Sequence, residues 1–355
     1  MCCRPAADAA HVIGRSDSPE APEFSNLLRL VLCTQPLPGS CKNVGDVRSP
    51  VRRGFAGKMP ATRYKLCTFA GVGFTSGVAM LHIKTVQSLE LPELTLYLTL
   101  RRLDEHERAG VLVAANIKVV RRLLASRFSV VSALLTPAWL ERLEPQLRAR
   151  EEEISVYVAE RPLLEKITGY QMHQGALAVA RIPSQPSFES LMESSPRPLL
   201  LAAVEGIASA ENLGAVVRSC AAFGVHFLIV SETCGSPFQR RAVSGSMGTI
   251  FEQPVVHVDN LVENLTALRA QGVKCLAAHP RPGSKKLATV DLRGDCCLVF
   301  GAEGPGLTEA ALAACEDAVE IPMPSHMNSL NVASATSVFL YEATRHRDRT
   351  LPGSL

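Results

Sequence analysis

The sequence predicts an α/β protein: a mostly parallel sheet occupying the C-terminal part, preceded by a smaller α/β unit. Three observations carry this expectation. From Leu199 onward, short apolar runs alternate with helical stretches, the pattern of parallel strands covered on both faces. From Leu89 to about Ile182, strands and helices alternate on a shorter scale. Between the two, Arg181 to Pro198 holds four prolines and five serines, a composition that favours extended, exposed backbone and reads as a linker over residues 183–198.

The whole chain has 355 residues, 47% hydrophobic and 20% charged, which suits two ordinary globular domains. Its formal net charge of +3 means that any grip on a polyanion must come from local basic groups. The cysteine count is odd, at 11, and no C-x-x-C pair or Cys/His cluster has zinc-ligand spacing, so neither a disulfide scaffold nor a metal site is expected. Apolar runs fall well short of the roughly 20 residues that span a bilayer, so no membrane segment is expected.

Residues 1–88 carry no sustained periodicity. Their five acids up to Asp46 are followed, from Val47 to Ser88, by seven basic residues and no acid. Such a stretch resembles an organellar transit peptide, giving a chloroplast or mitochondrial address. The alternatives are a disordered extension, or a true start at Met59 or Met80 and a cytoplasmic protein.

In residues 89–182, Val111–Ala115 and Val130–Leu135 read as buried strands with a helix over Lys118–Leu124 between them. Glu151–Glu153 reads as a solvated helix end, Trp139 as core, and Ala176–Ala180 as a closing strand. In residues 199–350, strands are predicted at Leu199–Val204, Val225–Val230, Lys274–Ala278, Cys296–Phe300 and Val319–Pro322. Helices are predicted at Gly214–Phe223, Leu261–Gln271, Thr308–Asp317 and Leu330–Arg347. Cys220, Cys275, Cys296, Cys297 and Cys315 fall on these elements and read as small apolar residues.

Three segments could carry chemistry, each just after a predicted strand, where ligands of parallel sheets bind. The first is Asn212-Leu-Gly-Ala-Val-Val-Arg218, in which Asn212 reads as a helix N-cap and Arg218 lies nearly two turns on. The second is Gly301-Ala-Glu-Gly-Pro-Gly306, whose glycines let backbone approach a ligand closely. It lacks the dinucleotide fingerprint, which disfavours a dehydrogenase. The third is Ile321-Pro-Met-Pro324 with Asn328-Ser-Leu-Asn-Val-Ala333, which opens the last helix as a cap or as a polar grip on a ligand.

In this order the three segments resemble the SpoU (TrmH-like) branch of the SPOUT class of RNA methyltransferases. The resemblance covers about Leu199 to Arg347, and residues 89–182 resemble the L30e-like RNA substrate-binding domain that often precedes it, with His173-Gln-Gly175 the best local match. It implies a C-terminal trefoil knot, a rare exception to unthreaded chain paths, that holds S-adenosylmethionine. By position, Gly301, Ala302, Ile321, Met323, Ser329 and Leu330 would contact that cofactor. Arg218 would act on the ribose 2′-hydroxyl, with Asn212, Glu303, Ser329 and Asn331 around it. The chain would be a homodimer acting on tRNA or rRNA. Ser325 stands where the family commonly has glycine, and Met327-Asn328 precede the Ser-Leu-Asn, departures on the side that faces the target nucleotide.

Arginine keeps its protons to above about pH 12, so Arg218 is read as an electrostatic stabiliser or phosphate clamp that Glu303 orients, not as a base. Arg240-Arg241, Arg101-Arg102 and Arg121-Arg122 each read, taken singly, as solvated surface, and taken together as groups that could neutralise phosphates. The other class of answer is a non-catalytic RNA-binding protein whose knotted domain only dimerises.

Overall fold

The computed structural model describes residues 80–88, 90–100, 103–168, 175–324, 327, 329–345 and 347. The predicted roles of residues 1–79, Arg101-Arg102, His173, Ser325 and Asn328 therefore lie outside the described residues.

The first sheet is assembled from β1 (Leu81–Thr85), α1 (Thr95–Leu98), α2 (Leu103–Arg108), β2 (Val111–Ala115), α3 (Ile117–Ala125), β3 (Val130–Leu135), α4 (Pro137–Arg148), β4 (Ile154–Val158), α5 (Arg161–Thr168) and β5 (Ala176–Arg181). Its order is β1-β4-β3-β5-β2, with β5 antiparallel to both neighbours and the other pairs parallel. The sheet therefore starts before Leu89: Leu81 to Thr85 pair with Ile154 to Val158, an edge strand too exposed to show an apolar pattern.

α3 forms because Asn116 caps it, accepting the Lys118 N–H at 2.9 Å, while Ile117, Val119, Val120, Leu123 and Leu124 make one buried face. Its far end is capped by Arg150, which donates to the carbonyls of Leu124, Ser126 and Phe128. Glu152 is consequently not a solvated helix end. It accepts from Arg150 and from the Val130 amide, and these bonds outweigh burial to hold its carboxyl below the usual range. The stability that this adds is present above about pH 4.3 and lost as pH falls. Trp139 is likewise not core but half-buried, packed on the core's edge.

The second part of the chain runs α6 (Phe188–Ser194), β6 (Leu200–Val204), α7 (Ala210–Ala222), β7 (Leu228–Val230), α8 (Arg240–Gly245), β8 (Val255–His257), α9 (Leu261–Ala270), β9 (Lys274–Ala278), β10 (Lys285–Lys286), β11 (Cys296–Phe300), α10 (Glu309–Ala314), β12 (Asp317–Glu320) and α11 (Val332–Arg345). Seven strands form a sheet ordered β10-β12-β9-β11-β6-β7-β8, parallel throughout. This order is compatible with the threaded C terminus that the resemblance implies.

Alternate strand residues enter two cores, as a period of two requires. Leu200, Ala202, Leu276, Leu298 and Phe300 pack with Val216, Val217, Phe339 and Leu340 of α7 and α11. Leu201, Ala203, Cys275, Cys297 and Val299 pack with Leu191, Leu265, Leu268 and Leu312 of α6, α9 and α10. The expected linker is thus only partly extended: Ser187 caps α6, and Phe188 meets Phe227 edge-to-face at 6.0 Å. The helix predicted to reach Asp317 stops at Ala314, because Asp317 pairs with Leu276 as the first residue of β12.

The two sheets share one core. Phe128, after α3, packs against Phe238 and Phe251 at 6.3 and 5.2 Å. Arg122 donates to the Met247 carbonyl at 2.9 Å and Arg240 to that of Leu100 at 3.5 Å. α7 crosses α8 at Gly214 and Gly245, where a Cβ on Gly214 would stand 2.3 Å from the Ala242 carbonyl oxygen. Among the described residues, no helix is long and apolar enough to cross a membrane.

Gly214→Ala is expected to lower unfolding free energy by about 1–3 kcal/mol, since backbone must yield. Gly294→Ala, with open space around it, should change it by less than about 0.5 kcal/mol, both read by chemical denaturation. Burial pushes the thiols of Cys220 and Cys296 up and that of Cys315 to about 12, while hydrogen bonding with Cys275, and then burial, raises that of Cys297. These thiols should resist alkylation at pH 8 in the folded protein and react in denaturant, as mapped by peptide mass spectrometry.

Candidate active site

Three strands of the parallel sheet, β9, β11 and β12, end side by side at Ala278, Phe300 and Glu320, and a cleft of about 490 Å³ opens beyond them. Its wall nearest β11 is the loop from Gly301 to Gly306. Ala302 and Gly306 exchange two backbone hydrogen bonds of 3.1 Å, closing the loop on itself. A Cβ at Gly301 would stand 2.3 Å from the Gly306 carbonyl carbon and 2.4 Å from the Leu307 nitrogen. Gly304 and Gly306 take φ of 92° and 76°, the left-handed region. The glycine spacing is thus the requirement of a backbone folded against itself.

The opposite walls come from Ile321 and Met323, after β12, and from Ser329, Leu330 and Asn331, before α11. Phe300 and Phe339 meet edge-to-face at 5.6 Å in the lining. Gly301, Ala302, Ile321, Met323, Ser329 and Leu330, expected to hold a cofactor, therefore all line one cleft. No hydrogen bond joins the Ser329 side chain to a described residue.

At the cleft's rim, three polar side chains close a triangle. Glu303 Oε1 accepts from Asn212 Nδ2 at 2.8 Å and from Asn331 Nδ2 at 2.7 Å, while Asn331 Nδ2 also reaches Asn212 Oδ1 at 3.1 Å. Asn331 has a second role as N-cap of α11, its Oδ1 accepting the Ala333 N–H at 2.9 Å. Asn212 does not cap α7: Ser209 does, one turn earlier, accepting the Asn212 N–H at 3.3 Å. This frees the Asn212 side chain to reach across to Glu303.

Arg218 stands apart from this triangle. Six residues on from Asn212, it lies roughly 240° around the helix axis, exposed and without a bonded partner among the described residues. Arg241 pairs with Glu211 at 3.4 Å, and Arg240 bonds the Leu100 carbonyl, so both predicted phosphate contacts are engaged within the chain.

The SpoU rRNA methylase family model matches residues 199–341. An uncharacterised tRNA/rRNA methyltransferase of Mycobacterium tuberculosis is 33% identical over 258 residues, covering 72% of this chain and 88% of that protein. The chain belongs to the SpoU family. The 23S rRNA (guanosine-2′-O-)-methyltransferase RlmB of Xanthomonas campestris pv. campestris is 35% identical over 207 residues, 58% of this chain and 83% of its own. In fold, this SpoU protein is similar to the AdoMet-bound rRNA methyltransferase from Sinorhizobium meliloti, with TM-score 0.65 and 24% identity over 74% of this chain and 98% of that one.

Sequence reasoning missed Glu205, a buried acid at the end of β6. Its two oxygens accept the backbone N–H and the hydroxyl of Thr308, each at 2.8 Å, and Thr308 in turn caps α10. This brace fixes the far end of the 301–306 loop of the SpoU site. The signal was present: a carboxylate directly after an apolar strand must find donors. It also missed His279, at the end of β9, whose ring stands beside Gly306 in the lining.

Gly301→Ala should abolish binding of S-adenosylmethionine by isothermal calorimetry, because the added carbon would overlap the Gly306–Leu307 peptide group. Glu205→Gln should lower unfolding free energy by about 1–3 kcal/mol, since an amide cannot accept both Thr308 donors as a carboxylate does.

Proposed function

We propose that this SpoU protein is an S-adenosylmethionine-dependent RNA methyltransferase that modifies the ribose 2′-hydroxyl of a tRNA or rRNA. The observation that carries the reading is the Asn212–Glu303–Asn331 triangle, set on the rim of a glycine-walled cleft at the carboxyl edge of a parallel sheet. The names of the relatives, tRNA/rRNA methyltransferase and guanosine-2′-O-methyltransferase, support it.

The cleft fits the cofactor. Its volume lies in the small-molecule range of about 300–1,000 Å³. Phe300, Ile321, Met323, Leu330 and Phe339 supply apolar surface for the cofactor's purine and the methylene groups beside its sulfur, and the bare backbone at Gly301 permits the close approach that a Cβ would block. Glu320 in the lining favours a cationic ligand. When bound, S-adenosylmethionine supplies an electrophilic methyl group on a cationic sulfur.

The chain's own residues align the acceptor and ease loss of its proton. Glu303, fixed from two sides by amides, is an oriented acceptor for one edge of an arginine fork. Arg218 provides that fork. Its guanidinium stabilises negative charge growing on the ribose oxygen or clamps the neighbouring phosphate. Because Arg218 lies away from its own chain's triangle, it serves the site of a second copy in a homodimer. Exposed Tyr341 and Val338 on α11, with Phe223 edge-to-face on Tyr341 at 6.4 Å, offer apolar surface for that contact. Residues 89–182 grip the RNA beside the cleft.

Incubation with methyl-labelled S-adenosylmethionine and total tRNA or rRNA, followed by digestion to nucleosides, should yield labelled 2′-O-methylnucleosides. Arg218→Lys should cut the transfer rate by about 100-fold or more at unchanged cofactor affinity, since a point charge replaces a planar fork. Cofactor binding without transfer to any RNA would instead favour an RNA-binding protein that dimerises through its methylase domain.

A further inference from the structure

The small domain carries a basic group that its described residues leave unpaired. Trp139, the chain's single tryptophan, lies half-buried on α4. The guanidinium carbons of Arg121 on α3 and Arg142 on α4 lie over its ring, 5.7 and 5.0 Å from the centroid. Both arginines are exposed, and neither forms an ion pair or hydrogen bond with a described residue. Their neighbours differ: Arg148 pairs with Glu144 at 2.7 Å, Arg150 with Glu152 at 2.6 Å, and Arg122 bonds the Met247 carbonyl. The nearest exposed charges in sequence are Arg122, beside Arg121 and bonded to Met247, Lys118, one turn before Arg121, and Glu141, beside Arg142.

A guanidinium resting on an indole has one face shielded from water while its edge donors stay free. Stacking also restricts the side chain, so less conformational freedom is lost when a ligand binds. Two such forks on one ring suit a partner carrying repeated, planar-bonding negative groups, which a phosphodiester backbone supplies.

We propose that Arg121, Trp139 and Arg142 form an RNA-docking patch that binds backbone phosphates of the substrate RNA outside the methyl-transfer cleft. The proposal rests on the RNA methyltransferase reading above. Because Arg122, the neighbour of Arg121, is bonded to Met247 of the large domain, and Phe128 at the end of α3 packs on Phe238 and Phe251, the patch is held at a fixed distance from the cleft. An RNA clamped there is registered against the catalytic groove by shape, with no base read.

The single tryptophan makes the test direct. The full chain is titrated with a fluorescein-labelled, mixed-sequence RNA hairpin over a range of salt concentrations, with Trp139 emission followed using the unlabelled hairpin. Wild type should bind with a steep salt dependence and a changed Trp139 emission. The Arg121→Ala/Arg142→Ala variant should bind about 10- to 100-fold more weakly at ~0.1 M salt, with a log–log slope smaller by about two. Its cofactor affinity and melting temperature should match wild type. Arg121→Lys/Arg142→Lys should keep most of the slope but lose affinity, because the charge remains without the fork. An unchanged affinity and slope in the alanine variant would overturn the patch while leaving the methyltransferase reading intact. Failure of wild type to bind RNA at all would overturn both. Competition by polyglutamate as strong as by unlabelled RNA would make the patch a general anion or protein-docking face and sink the proposal.

Discussion

Position 301 has no room for a side chain, and the geometry of the site follows from that. With backbone atoms of Gly306 and Leu307 at 2.3 and 2.4 Å from where a Cβ would be, the chain leaving β11 turns back on itself at once. The turn places Glu303 at the rim, where amides from α7 and the start of α11 converge on one carboxylate oxygen. Glu205 holds the other end of the loop by binding Thr308 twice. Segments more than a hundred residues apart in sequence are therefore locked to one another by a handful of hydrogen bonds and one missing methyl group.

Most of the well-placed arginines serve the fold. Arg150 gathers the carbonyls at the end of α3, and Arg347 does the same where α11 ends, donating to Leu292, Pro198, Leu199 and Gly294. Arg240 and Arg122 bridge the two sheets through backbone oxygens. Guanidinium groups bound to neutral carbonyls keep their charge but lose their reach. In a chain with net charge +3, electrostatic attraction of a polyanion falls, among the described residues, to arginines that remain unbonded, Arg218, Arg121 and Arg142 among them.

The described residues belong to one compact unit, in which a core cluster runs from β2 and α3 through Phe128 into α7, α8 and α11. Gly214 and Gly245 let α7 and α8 cross closely, and α8 in turn packs on β2. An RNA bound by the small domain, as proposed above, would be presented to the cleft without a hinge having to close.

The local elements are legible in the order of the residues. Runs such as Leu200–Val204 and Cys296–Phe300 are apolar on both faces because the sheet is covered on both, and that is readable without coordinates. The glycines of 301–306 and the order of the three motifs were legible for the same reason: backbone that must bend tightly excludes other residues. What the tertiary structure decided were the partners. Asn212 looked like a cap because asparagine favours that position, but Ser209 one turn earlier took it, and Asn212 turned to Glu303. The 183–198 stretch looked extended until Phe188 and Leu191 found a core to enter. Edge strand β1, the bond from the Val130 amide to Glu152 and the placing of Arg121 over Trp139 all depend on contacts between separate elements. Periodicity records which side of an element is buried; it carries no information on what lies across the gap.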